Sequence, residues 1–139
     1  MAESTQKKLQ CAIVTPETTV LDQPVDFVAI PLYDGELGVL PGRAPLVARL
    51  GYGELRARSG NDTSSYFIDG GFLQVNNDIV TVLTSGAISA NRIDPSAANS
   101  ELQKANEQVP TTPEGFESKV ISISRARAKI QVARRAGKS

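Results

Sequence analysis

Hydrophobic and polar positions change their period once along the chain, close to Asn91. Before that point, short apolar runs alternate with clusters of turn-forming residues. The runs cover residues 9–15, 18–21, 25–31, 37–40, 46–50, 54–58, 64–68, 72–75 and 79–84. Between them stand Pro16-Glu17, Asp22-Gln23-Pro24, Ser59-Gly60-Asn61-Asp62, Asp69-Gly70-Gly71 and Asn76-Asn77-Asp78. Glycine supplies positive φ and proline presets a turn value, so each cluster reads as a corner between strands. Turns at this spacing, with no helical period between them, predict an all-β sandwich or flattened barrel of about ten short strands. The densest corner is DGELGVLPGRAPLVARLGYG, residues 34–53, where Gly35, Gly38, Pro41, Gly42, Pro45, Gly51 and Gly53 crowd together.

After Asn91 the period becomes helical. Asp94-Pro95 is an N-cap acceptor followed by proline at the first helical position. Ala98, Leu102, Ala105 and Val109 then recur on one face, a narrow stripe of mostly small residues. Pro110 stops this helix, and Thr112-Pro113 repeats the start signal for a second. The second helix carries the stripe Phe116, Val120 and Ile123, and the same line continues as Arg127 and Arg134. Two helices joined by so few residues predict an antiparallel hairpin. The fold class expected is therefore α+β by segregated modules, a β-sandwich over residues 1–90 and a helical hairpin over 91–139.

Composition narrows the function. Histidine is absent, which removes the usual general base and the commonest metal ligand. Cys11 is the only cysteine and sits in an apolar run, so it reads as an inert strand residue with no disulfide framework around it. No nucleophile–base pair or metal-spaced cluster is present, and Asp22, Asp26, Asp34 and Asp69 read as turn or strand-end residues. Net charge is zero but divided: residues 1–90 carry six basic and ten acidic residues, and 91–139 carry nine and five. Two modules with different partners are implied. No apolar run reaches the length of a membrane span, and the N-terminal stretch has neither a signal-peptide core nor a transit-peptide bias, which predicts a bacterial cytoplasmic protein without lipid insertion. A Walker-type phosphate loop is also disfavoured, because no Gly-Lys-Ser/Thr follows the glycine cluster.

The order of residues says more than their spacing. Gly-Glu-Leu-Gly-Val-Leu-Pro-Gly-Arg-Ala-Pro-Leu (residues 35–46), Leu-Gly-Tyr-Gly-Glu-Leu-Arg (50–56), Asp-Gly-Gly-Phe-Leu-Gln-Val (69–75) and Val-Thr-Val-Leu (80–83) closely resemble the epsilon subunit of bacterial-type F-type ATP synthase. The resemblance spans nearly the whole chain from Leu9 and is strongest before Asn91. It implies a β-sandwich that turns with the gamma subunit and the c ring in the central stalk, peripheral to the cytoplasmic face of the plasma membrane, with no chemistry or cofactor of its own. Glu36 matches the glutamate of the family's Gly-Glu-Leu-Gly motif and, with Arg43, is expected in a loop at residues 34–45 facing the c ring. Arg43 replaces the histidine common there.

For the hairpin, the resemblance implies a folded state on the sandwich and an extended state in the catalytic head. In the extended state basic residues, here Arg127, Arg134 and Arg135, meet an acidic loop of the beta subunit and restrain ATP hydrolysis. Some relatives bind ATP through Ile/Leu-Asp-x-x-Arg-Ala. Here Ile93, Asp94 and Ala98 are kept but Ala97 stands at the arginine position, so no nucleotide binding is expected. Two alternatives stay open at this stage. One is a purely structural stalk component, like the equivalent mitochondrial subunit called delta. The other is a free-standing β-sandwich with a basic nucleic-acid-binding tail, which the neutral chain and acidic sandwich disfavour.

Overall fold

A computed structural model describes residues 7–136. The strands are β1 Leu9–Val14, β2 Thr19–Val25, β3 Phe27–Leu32, β4 Gly35–Val39, β5 Leu46–Ser59, β6 Asp62–Asn76, β7 Ile79–Leu83 and β8 Ala87–Ser89. A 3₁₀ turn, Ala90–Arg92, leads to helices α1 Pro95–Glu107 and α2 Pro113–Arg135. Hydrogen bonding joins the strands in the order β2-β1-β7-β6-β5-β3-β4, with β8 on β6. The pairs are antiparallel except β1 with β7, which is parallel.

This is the expected sandwich followed by two helices, built from eight strands among the described residues in place of about ten. The difference lies in β5 and β6. Residues 46–50 and 54–58 are one strand, and so are 64–68 and 72–75. The first half of β5 pairs with the second half of β6 on the β7–β1–β2 side, and the second half pairs with the first half of β6 on the β3–β4 side. One ladder thus serves both layers, turning between them where Leu50 pairs with Gly71 and Tyr52 with Asp69, a stretch that holds Gly51, Gly53, Gly70 and Gly71. Gly70 and Gly71 hold φ of 69° and 117°, conformations that side chains disfavour. The glycines were correctly read as a corner, but the corner bends a continuous ladder without ending it.

The corner also reverses which residues face inward. Along β5, Leu46 and Leu50 contribute to the core before it, and Leu55 and Ala57 after it. Along β6, Tyr66 and Ile68 contribute before it, and Leu73 and Val75 after it. Leu9, Cys11, Ile13, Val80 and Val82 complete the facing layer. Burial pushes the Cys11 thiol up to about 12, helped by the Asp22 charge, so it stays neutral and unreactive.

Two smaller departures have similar causes. Asp22-Gln23-Pro24 is not a turn but part of β2, an edge strand where a missing N–H costs no ladder bond. The expected loop at residues 34–45 contains strand β4, so only 40–45 is a connection.

Both helix starts are as predicted. The Asp94 carboxylate accepts from the Ser96 N–H at 2.9 Å, and the Thr112 hydroxyl accepts from the Gly115 N–H at 3.0 Å. Ala98 and Ala105 bury on α1, but Val109 lies past its end and is exposed. On α2 the predicted stripe is corrected. Phe116 and Val120 face solvent, and the buried residues are Ala126, Ala128, Val132 and Ala133. α2 lies close against both α1 and the sheet, and small side chains permit that approach where large ones would hold the layers apart.

Gly71 tests the corner. A Cβ there would run into the Leu83 carbonyl oxygen, in a backbone conformation already unfavourable to side chains. Gly71→Ala should destabilise the chain by about 2–3 kcal/mol, read as a lowered urea midpoint. An unchanged midpoint would show that the corner has slack.

Candidate functional site

The outer face of the β5–β6 half of the sheet is covered by α2. Cross-strand pairing sets three rows there: Tyr52 opposite Asp69, Glu54 opposite Phe67, and Arg56 opposite Ser65. Phe67, Ala90, Ile93, Ala128, Val132 and Ala133 form the buried apolar patch of the seam, with Tyr52 and Ile88 at its edge. Full burial of a phenylalanine contributes about 1.5–3 kcal/mol, but the helix adds mostly methyl groups. Apolar packing alone therefore holds α2 modestly.

Ion pairs supply the rest. Arg125 Nε donates to Asp69 Oδ1 at 2.7 Å, and its guanidinium lies 5.7 Å from the Tyr52 ring centre. Arg135 Nη1 donates to Glu54 Oε1 at 2.7 Å. The same Glu54 oxygen accepts from Arg56 Nη1 at 3.3 Å, and Arg56 Nη2 reaches Glu36 Oε1 at 3.4 Å. Glu54 is the buried member, its side chain 7% exposed against 51% for Arg135. A carboxylate so placed needs its donors, because an uncompensated buried charge is costly. On the other side of α2, Lys129 binds Glu101 of α1 at 3.1 Å, and Lys119 Nζ donates to the carbonyls of Asn106 and Gln108 at the end of α1.

The sequence-predicted residues are dispersed. Glu36 and Arg43 are not in one loop: Glu36 is near the start of β4 and Arg43 is in the connection beyond its end. That connection is tied down by the Gly42 N–H, which donates to Asp78 Oδ1 at 2.7 Å. Arg43 is exposed. Arg127 and Arg134 are exposed on α2 and make no ion pair among the described residues, whereas Arg135 is held by Glu54. Ile93 is buried in the seam, the Asp94 carboxylate caps α1, Ala98 is buried and Ala97 is exposed. These four lie at the start of α1, with Ile93 just before the helix and Asp94 as its cap.

Sequence reasoning missed Glu54, Arg56, Asp69 and Arg125 as a set. A signal existed in the alternation of Glu54, Arg56 and Arg58 with Leu55 and Ala57, which puts the charges on one strand face. What ties the helix to them is long-range: Arg125 is fifty-six positions from Asp69 and Arg135 eighty-one from Glu54.

The outer face of the other half of the sheet is bare. Its register aligns Val14, Leu83, Phe72 and Arg49 in one row across β1, β7, β6 and β5, and Val47 stands beside it opposite Gln74. Val47 is 73% exposed and Phe72 58%. A flat apolar row of this kind is typical of a protein-docking surface. Among the described residues no group of three or more His, Cys, Asp or Glu could hold a metal ion, and no helix is long and apolar enough to cross a membrane.

Residues 8–90 match the profile of the ATP synthase delta/epsilon chain, beta-sandwich domain. The chain belongs to the ATP synthase epsilon family. It is 45% identical to the ATP synthase epsilon chain of Rhodopirellula baltica over 126 residues, covering 91% of this chain and 98% of that one. With the epsilon chain of Prochloron didemni it shares 34% identity over 130 residues, 90% and 96% of the two chains. Among solved structures, a chain of the Euglena gracilis mitochondrial ATP synthase OSCP/F1/c-ring assembly matches with a TM-score of 0.78 at 25% identity, over 94% of this chain and 81% of that chain. A chain of the Tetrahymena thermophila mitochondrial ATP synthase central stalk and c-ring matches with 0.73 at 15% identity, over 91% and 97%, which speaks to the fold alone. The family resemblance drawn from residues 35–56 and 69–83 is thus borne out.

The seam predicts unequal effects from its two arginines. Hydrogen bonds to charged groups contribute about 1.5–3 kcal/mol, reduced where one partner is exposed. Arg135→Ala should loosen α2 by about 1–2 kcal/mol and Arg125→Ala by about 1 kcal/mol. Hydrogen exchange of α2 amides in the full chain reads both. Equal protection in wild type and both variants would show that packing alone holds the helix.

Proposed function

We propose that this epsilon chain is a non-catalytic subunit of the ATP synthase central stalk, in which residues 1–90 assemble the rotor and residues 91–139 regulate it. One observation carries this reading. The two outer faces of the sandwich are dressed differently, one bare and apolar, the other covered by a helix held through polar contacts.

The bare row of Val14, Leu83, Phe72 and Arg49, with Val47, is the surface for the gamma subunit. Its exposed aromatic and aliphatic side chains suit a lasting interface, with arginine at the edge. Glu36 and Arg43 make separate polar contacts with the c ring, Glu36 from a strand end and Arg43 from a tethered connection. Because Gly42, Pro41 and Pro45 restrict that connection, Arg43 loses little freedom on docking. The assembly carries the chain on the cytoplasmic face of the membrane as a peripheral subunit.

In the regulatory state α2 leaves the sheet and extends toward the catalytic head. Arg127 and Arg134, already exposed, and Arg135, freed from Glu54, then pair with an acidic loop of the beta subunit and restrain ATP hydrolysis. A second reading has its own support: two arginine–carboxylate pairs fasten α2 to the sheet. On that reading the hairpin stays folded and only buttresses the stalk.

Assembly tests the first half of the proposal. Phe72→Asp places a charge in the middle of the apolar row and should weaken co-purification with gamma by at least tenfold, about 1.4 kcal/mol or more, while the isolated chain stays folded. Arg43→Cys in the assembled enzyme should crosslink to a c subunit, and a crosslink exclusively to the catalytic head would sink the contact. Hydrolysis tests the second half. Removing residues 110–139 should raise ATP hydrolysis with assembly intact, and alanine at Arg127, Arg134 and Arg135 should give part of that rise. Equal rates across a range of ATP and salt concentrations would leave only the buttress.

A further inference from the structure

Four charges cross the face of the sheet in alternating sign, from β4 to the end of α2. Glu36 is bound by Arg56 at 3.4 Å, Arg56 by Glu54 at 3.3 Å, and Glu54 by Arg135 at 2.7 Å. The register explains how one arginine spans two carboxylates. Arg56 stands opposite Ala29, which in turn stands opposite Gly38, a position covered by the Phe27 ring. Glu36 lies two positions along from Gly38, diagonally within reach.

The two arginines at Glu54 share one oxygen, Oε1. Both bonds coexist here, on the two lone pairs of that oxygen, but they place two guanidinium groups at one acceptor. Whatever draws Arg56 toward Glu36 leaves that oxygen to Arg135, and whatever releases Arg56 from Glu36 turns it fully onto Glu54. Like charges at one acceptor repel, and the low exposure of Glu54 weakens solvent screening there. Arg135 is the member that can leave, because it is half-exposed at the last turn of α2, and its departure frees that end of the helix.

We propose that Glu36, Arg56, Glu54 and Arg135 act as a single relay, through which engagement of the Glu36 carboxylate by a cationic or hydrogen-bond-donating group of a partner loosens α2 from the sheet. The functional use of this relay rests on Glu36 being a partner contact, as in the reading above. The relay itself is a property of the isolated chain. Its action is a coupling free energy between two places on the molecule, so it is reciprocal: undocking α2 leaves Arg56 more attracted to Glu54 and Glu36 freer to bind outside.

A double-mutant cycle on the full-length isolated chain tests the relay, with hydrogen exchange of the α2 amides Ala126 to Ala133 as the readout and the β1 and β7 amides as the control. Glu36→Gln mimics a carboxylate whose charge has been taken up. It should raise the opening constant of α2 about two- to fivefold, the range of a partly exposed ion pair, and leave β1 and β7 unchanged. In an Arg56→Gln background the same Glu36→Gln change should have no effect, because the link between the carboxylates is gone. If Arg56→Gln does not fold, Arg56→Lys serves, since one ammonium cannot hold both carboxylates in this geometry and the Glu36→Gln effect should fall by half or more. The relay is overturned if Glu36→Gln leaves α2 exchange unchanged, if its effect persists without Arg56, or if β1 and β7 loosen equally. A Glu36→Cys variant that fails to crosslink to a c subunit in the assembled enzyme would instead remove the c-ring contact of Glu36 and leave the cycle standing.

Discussion

The β5–β6 ladder is the constraint on which the rest of this structure depends. It is a single run of antiparallel pairs, and it has to serve both layers of the sandwich. It can do so because glycines stand on both strands at its middle, where a β-carbon would strike neighbouring backbone at Gly51 and Gly71. The reversal of inward-facing positions at the corner follows from those glycine conformations. So does the allocation of the outer faces. After the corner in β5, Glu54 and Arg56 point out toward α2, and before the corner in β6 so do Phe67 and Asp69. Beyond it in β6, Phe72 and Gln74 point out on the opposite side of the molecule.

Energetics separate the two faces further. The core between the layers is made of fully buried Leu, Ile and Val, each worth about 1.5–3 kcal/mol on burial, so the sandwich is the stable unit. The seam under α2 is lined by alanines and one valine from the helix, and its rim is arginine against carboxylate. Ion pairs of this kind need geometry and are weakened by salt, unlike aliphatic packing. A helix attached this way is held less firmly than the strands that carry the core. Opening of an element held by few apolar contacts is expected at lower free energy than global unfolding. The proposed regulatory movement therefore asks the structure to give up its weakest contacts and none of its core.

Polar economy at the seam also bears on the competing readings of the hairpin. Phe116 and Val120 are exposed near the start of α2, whose buried face is three alanines and Val132. Those two exposed side chains, with Arg127 and Arg134, which are exposed and make no ion pair among the described residues, are the groups that the proposed extended state would use. The buttress reading keeps the two arginine–carboxylate pairs in its favour, and the proposed relay passes through only one of them, Arg135 with Glu54.

Much of this protein was legible from its residues in order. The change of period at Asn91, the capped starts at Asp94-Pro95 and Thr112-Pro113, and the glycine corners are local effects, set by backbone sterics and hydrogen bonds within a few residues. The epsilon family was legible too, because the residues at residues 35–56 and 69–83 stand in a specific order. What the chain order could not disclose was long-range. Asp69-Gly70-Gly71 has the composition of a turn, and only the pairing of Gly71 with Leu50 and of Asp69 with Tyr52 makes it a bend in a continuing ladder. The apolar line Phe116, Val120 and Ile123 has the period of a buried face, yet α2 is seated by alanines, because the layers approach closely and helical period says nothing of the distance to the partner. Glu36 and Arg43 share a glycine-rich stretch, but β4 holds them apart. Glu54, Arg56, Asp69 and Arg125 are ordinary surface charges in sequence; they become a site only when the sheet register and the docked helix bring them within hydrogen-bond reach.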